Sequence, residues 1–161
     1  MKNILFKHFY PALLFTFICG GLKAQTSVAG STVLSPLNPW KASQLVEPGK
    51  LAAILKSSAS AKPYIFNIGA VEDIKGSCHI GAVGNHQNLE NFKTALQSLY
   101  KNAPIVIYCG CCPFTKCPNV GPGFSILQKL GFKNVKILDL PVNLKTNWVD
   151  KGYPLTSETK P

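Results

Sequence analysis

Four of the chain's six cysteines fall between positions 109 and 117, in a run from Tyr108 to Phe124 that reads YCGCCPFTKCPNVGPGF. A thiolate, not a thiol, is the nucleophile and the metal ligand. What surrounds each sulfur therefore decides what it can do. Cys109 follows the apolar, β-branched run Ile105–Tyr108 and precedes a tight Gly/Pro loop. Backbone N–H groups of such a loop, and the positive end of a following helix, favour an anion at the sulfur. A fall of two pKa units from the usual value of about 8.5 needs roughly 2.7 kcal/mol of differential stabilisation. The same cradle suits a persulfide, Cys–S–S⁻. Cys109 is thus the expected reactive thiol. Gly110, Cys111, Cys112, Pro113, Phe114, Thr115 and Lys116 are the expected substrate-binding loop, and Asn119 the expected cap of the helix behind it.

The remaining cysteines of the run admit three uses. A structural disulfide is expected between Cys112 and Cys117, since adjacent cysteines seldom bond each other. A resolving thiol could instead attack an oxidised or persulfidated Cys109. Metal binding, with Cys78 or His79 joining, is the third use. The spacing C-x-C-C-x4-C lacks the paired pattern of zinc sites, so neither metal nor cofactor is expected. His86 has no chemical context. Phosphatase chemistry on a C-x5-R loop is excluded: the sixth residue after Cys109 is Thr115, and the chain contains no Arg to clamp a phosphoryl group.

Strands and helices must position this loop, and they alternate along the chain. Pro48 suits the first turn of a helix carrying Leu51, Ile54 and Leu55. Tyr64 to Ile68 is an apolar run between Pro63 and Gly69, as in a buried strand. Asn88 is expected to cap a helix bearing Leu89, Phe92, Leu96 and Leu99, and Pro104 opens the strand Ile105–Tyr108. A helix with Phe124, Leu127 and Leu130 stops at Gly131; a strand spans Val135–Leu138, and a short helix spans Asn143 to Asp150. Such alternation predicts an α/β domain with three layers, a parallel sheet with helices on both faces. Ligands of such sheets bind beyond the carboxyl ends of the strands, which is where Cys109 falls.

These ordered motifs resemble the rhodanese-like domain. The strand into Cys109, the loop, the helix, then Gly131-Phe132 and the strand Val135–Leu138 follow that family's order. Upstream, Cys78-His79-Ile80-Gly81-Ala82 is similar to its Gly-His-Ile-x-Gly-Ala signature, one residue shorter; downstream, Trp148 and Gly152-Tyr153-Pro154 are similar to its closing Trp…Gly-Tyr-Pro. The likeness runs from Lys41 to Leu155, and the CGCCP…CPN loop resembles that of an exported subgroup. The chain departs from the family at Asn67-Ile68-Gly69, where Asp-x-Arg is usual, at a longer Cys109–Gly131 segment, and around Leu140-Pro141, where Gly-Gly is usual. The resemblance implies a sulfurtransferase carrying sulfane sulfur as a persulfide on Cys109, with His79 a hydrogen-bonding structural residue rather than a base. A small sulfur donor or a protein-borne persulfide would be its source, and a thiol its acceptor. The alternative is a non-catalytic binding module or a thiol-redox protein with a disulfide-bonded cysteine loop.

Composition frames these expectations. Of 161 residues, 46% are apolar and 15% charged, enough to fill a core. All 17 basic residues are Lys, scattered singly rather than clustered among aromatics, so no nucleic-acid partner is expected despite the formal charge of +10. Lys2 and Lys7 precede an apolar stretch, Ala12 to Leu22, too short to span a bilayer and followed by Ala24. The expected organisation is a cleavable export signal over 1–24, a flexible linker over 25–39, the domain over 40–155 and a tail over 156–161. Export to the periplasm or the outside is expected, with no stable membrane insertion after cleavage. Five cysteines then remain, an odd number, which leaves at least one thiol unpaired within the chain.

Overall fold

The computed structural model describes residues 38–58 and 61–156. The expected export signal, positions 25–37 of the expected linker and positions 157–161 of the tail lie outside the described residues. Five strands, β1 (Leu45–Val46), β2 (Tyr64–Asn67), β3 (Ser77–His79), β4 (Ile105–Tyr108) and β5 (Val135–Leu138), form one sheet in the order β1-β5-β4-β2-β3. Every pairing is parallel. Four α-helices accompany it: α1 (Pro48–Lys56), α2 (His86–Leu96), α3 (Val120–Lys129) and α4 (Leu144–Asn147). The molecule is an α/β domain with an all-parallel sheet.

Period-2 alternation of the central strand divides the core in two. Ile105 and Ile107 of β4 enter a cluster with Phe92 and Leu96 of α2 and Val120, Phe124 and Leu127 of α3. Val106 and Tyr108 enter another, with Leu51 and Leu55 of α1, Leu144 of α4 and Trp148. Both faces of the sheet are therefore covered, and β4 is buried at all four positions. Its uninterrupted β-branched sequence follows from that double burial.

Several boundaries differ from the sequence reading. Asn85, not Asn88, caps α2: its Oδ1 accepts the amides of Gln87 at 2.8 Å and Asn88 at 3.3 Å. Asn88 instead donates its carboxamide to Ala82 O at 3.0 Å, pinning the preceding loop. Ile54 faces outward while Leu51 and Leu55 are buried, because a short helix on this sheet has only a narrow apolar stripe. Strands β1 and β3, of two and three residues, were not anticipated, being too short for alternation to show. The closing Trp-Gly-Tyr-Pro segment has a structural explanation. Trp148 is fully buried, donates Nε1–H to Pro154 O at 3.1 Å, and packs edge-on against Tyr153 with ring centroids 5.2 Å apart.

Candidate active site

In chain order β2 is followed by β3 on one side and then by β4 on the other, so the strand order reverses between β2 and β4. Open α/β sheets bind their ligands at such a point, and here the residues beyond the carboxyl ends of β2 and β4 meet. Cys109 is the first residue after β4. Gly69, two residues past β2, lies against it so closely that a Cβ on Gly69 would stand 2.2 Å from Cys109 O and 2.8 Å from its Sγ. Only glycine fits. Gly110 then takes φ +76°, and a Cβ there would meet Leu144 Cβ at 2.8 Å. This left-handed residue turns the chain off the strand, and its carbonyl accepts the Leu144 amide at 2.8 Å.

The turn brings three sulfurs together. Cys109, Cys111 and Cys117 have their Sγ atoms all within 4.8 Å of one another. The Cys109–Cys111 separation is 3.3 Å, and Cys112 Sγ lies 3.5 Å beyond Cys111. A short 3-10 turn, Phe114–Lys116, carries the chain back so that Cys117 returns to the cluster. Phe114 anchors that turn, buried in the core with its amide bonded to Leu140 O at 3.1 Å. Cys109 is 2% and Cys117 8% exposed, whereas Cys111 faces solvent.

Asn119 completes the arrangement in a role different from the one expected. It precedes α3 but makes no side-chain cap hydrogen bond. Its carboxamide Nδ2 donates to Cys109 Sγ at 3.3 Å, and its Oδ1 accepts the Gly84 amide at 2.9 Å. The expectation that the helix start would face Cys109 is likewise corrected. The amides of Asn119 and Val120 hydrogen-bond Cys117, and the loop amide of Cys111 serves Cys109.

Hydrogen bonding to a thiolate lowers its pKa, and burial raises it. Cys109 is lowered to about 5, chiefly by the Cys117 thiol, against the opposing effect of burial, with Asn119 and Cys111 adding to the fall. Donating its proton to Cys109 raises Cys117. Burial, and then the bond given to Cys109, push Cys111 up to about 12. One sulfur of the three thus holds the negative charge, and its neighbours hold protons.

All five described cysteines are free thiols, so the Cys112–Cys117 disulfide is not formed in this structure; Cys117 is engaged with Cys109 instead. Of the expected loop, Gly110, Cys111 and Phe114 shape the site directly. Cys112, Pro113 and Thr115 are half-buried around it, and Lys116 points to solvent. Cys78 lies on β3, exposed and outside the cluster.

His79 joins a separate network: its Nδ1 lies 3.0 Å from Asp73 Oδ1 and 3.2 Å from Asn67 Nδ2. Fully buried Asn67 also donates to Asp73 Oδ1 at 2.9 Å and to Val71 O at 2.8 Å, and accepts the Gly69 amide at 3.1 Å. This network holds the β2 end against which Cys109 packs.

The sequence reading missed Gly69, Gly84 and the thiol-facing role of Asn119. Their signal was weak, being one of two glycines in each loop and an asparagine two residues after a cysteine. An apolar hollow of about 390 Å³, lined by Leu45, Leu51, Ile54 and Val106 among others, opens toward the amino ends of β4 and β5, away from Cys109, and no cysteine lines it. Comparison with family models, curated proteins and solved structures finds no match to this chain.

Proposed function

We propose that the protein is a rhodanese-type sulfurtransferase in which Cys109 carries sulfane sulfur as a persulfide. The observation that carries this reading is the set of donors converging on Cys109 Sγ at the carboxyl end of the central strand: the Asn119 carboxamide, the Cys111 amide and two neighbouring thiols. Such donors stabilise a thiolate before reaction and a persulfide anion after it, without an arginine. In the first half-reaction the Cys109 thiolate attacks the sulfane sulfur of a donor R–S–S⁻, forming Cys109–S–S⁻ and releasing RS⁻. In the second, a thiolate acceptor takes that outer sulfur and regenerates the Cys109 thiolate. Because the chain has no Arg and Lys116 faces solvent, the site favours a neutral or protein-borne persulfide donor over a dianion. A turnover assay pairing several sulfane-sulfur donors with a small thiol acceptor tests the reading: the unmodified protein transfers sulfur, and Cys109→Ser abolishes it.

A second reading is favoured by one distance. Cys111 Sγ stands 3.3 Å from Cys109 Sγ and faces solvent. Joined as a disulfide, the pair would give up two protons and two electrons to an external disulfide, as in a thiol-redox protein. Accumulation of a Cys109–Cys111 disulfide with no sulfur transfer from any donor supports that reading over the first.

A further inference from the structure

The sequence spacing lacks the paired cysteines of a zinc site, yet the fold gathers three thiols from C-x-C-x5-C into one cluster. With metal–sulfur bonds of about 2.3 Å, three sulfurs around a trigonal centre stand roughly 4.0 Å apart. The Cys109, Cys111 and Cys117 sulfurs already lie within 4.8 Å of one another, with one pair at 3.3 Å, so shifts on the order of an ångström suffice.

The groups around them suit thiolate ligands. Cys109 receives the Asn119 carboxamide and the Cys111 amide, and Cys117 receives the amides of Asn119 and Val120. Outer N–H donors of this kind orient metal-bound ligands and balance their charge. The cluster found among the described residues is all sulfur, with no carboxylate or imidazole in it. Soft ligands alone select a soft cation.

We infer that Cys109, Cys111 and Cys117 form a trigonal all-thiolate site for a soft monovalent metal ion, Cu(I). Three ligands complete the sphere of Cu(I), whereas structural zinc takes four, and Cys112, half-buried beyond Cys111, lies outside the triad. Cys111 is the exposed member and gives the ion its entry. The site does not depend on sulfur transfer; binding of Cu(I) displaces the protons of Cys111 and Cys117 to solvent, leaving three thiolates on the metal.

Anaerobic titration of the reduced protein with Cu(I), in competition with a chromophoric Cu(I) chelator, tests this directly. The expected result is one Cu(I) per chain with a three-sulfur shell by X-ray absorption. Replacing Cys109, Cys111 or Cys117 by Ser each weakens binding by at least about 100-fold. Asn119→Ala, which removes only an outer donor, weakens it by about 10- to 100-fold, and Cys78→Ser leaves it unchanged. Circular dichroism confirms that each variant is folded, and the sulfur count is read on the unmodified protein, independent of any variant. A two-sulfur shell, copper left wholly on the chelator, or Cys117→Ser binding as tightly as the unmodified chain would overturn the assignment.

Discussion

Asn119 spans two loops: its Nδ2 lies 3.3 Å from Cys109 Sγ while its Oδ1 accepts the Gly84 amide at 2.9 Å. Both ends of one buried carboxamide are used. The segment after β3 thereby fixes the direction from which the thiol receives its hydrogen bond. Asn119→Ala removes a donor to the charged sulfur and leaves the Gly84 amide unpaired. Gly84 is exposed, so water takes the place of that partner and the cost is about that of one net hydrogen bond, roughly 0.5–1.5 kcal/mol, which denaturant unfolding would register. The pH at which Cys109 becomes reactive rises in the same variant, because the ionised form has lost a stabilising bond.

The pH dependence of stability follows from Cys109. Its folded pKa, lowered to about 5, lies below the unfolded value of about 8.5. The unfolded chain therefore holds more thiol protons between those values, and stability rises with pH across that window. The contribution is fully present above about pH 8.5 and is lost as the pH falls toward 5. Unfolding free energy measured at several pH values is expected to decline on acidification through this range, and Cys109→Ser to flatten that part of the profile. An unchanged slope in the variant would assign the dependence elsewhere.

Gly69 is predicted to be intolerant of any side chain. A Cβ there would sit 2.2 Å from Cys109 O, so Gly69→Ala must push the strand end or the cysteine aside. Overpacking of this kind costs about 1–3 kcal/mol. Since displacement falls on Cys109, its reaction with a thiol reagent should slow by more than that of Cys78, which lies on a different strand. Equal reactivity at both cysteines, in parent and variant, would show that the loop absorbs the methyl group elsewhere.

Tyr108 offers a control on the opposite face of the sheet. Its hydroxyl accepts the Ile74 amide at 2.9 Å and donates to Glu72 O at 3.2 Å, and burial pushes its pKa up to about 12. Tyr108→Phe leaves the Ile74 amide without its partner and should cost about 1–3 kcal/mol. Because alternate residues of a strand face opposite sides, this loss should not alter the reactivity of Cys109, measured by the pH profile of alkylation.

What could be read from the sequence and what could not divide along physical lines. Ile105–Tyr108 announced a central parallel strand because burial on both faces demands an unbroken apolar run, and position fixed Cys109 at its end. The all-parallel α/β architecture followed from the alternation of elements. Strands β1 and β3 were hidden because two or three residues carry no period, and their places depend on pairing with β5 and β2. The role of Asn119 was equally hidden. Local rules make an asparagine before a helix a cap, but this one meets a sulfur ten positions earlier and an amide 35 positions earlier. The pairing of Cys112 with Cys117 was expected because adjacent cysteines seldom bond each other; in the structure both are free thiols, and the 3-10 turn at Phe114–Lys116 brings Cys117 back to Cys109. Contacts made by folding leave little trace in local composition.

The most direct test of sulfur carriage is peptide mass mapping after the reduced protein is exposed to sulfane-sulfur donors, small and protein-borne, with excess donor removed before digestion. The proposed function predicts a gain of one sulfur on the peptide containing Cys109, absent in Cys109→Ser and reversed by a thiol acceptor. No adduct with any donor, with Cys109 found instead in a disulfide, would contradict it.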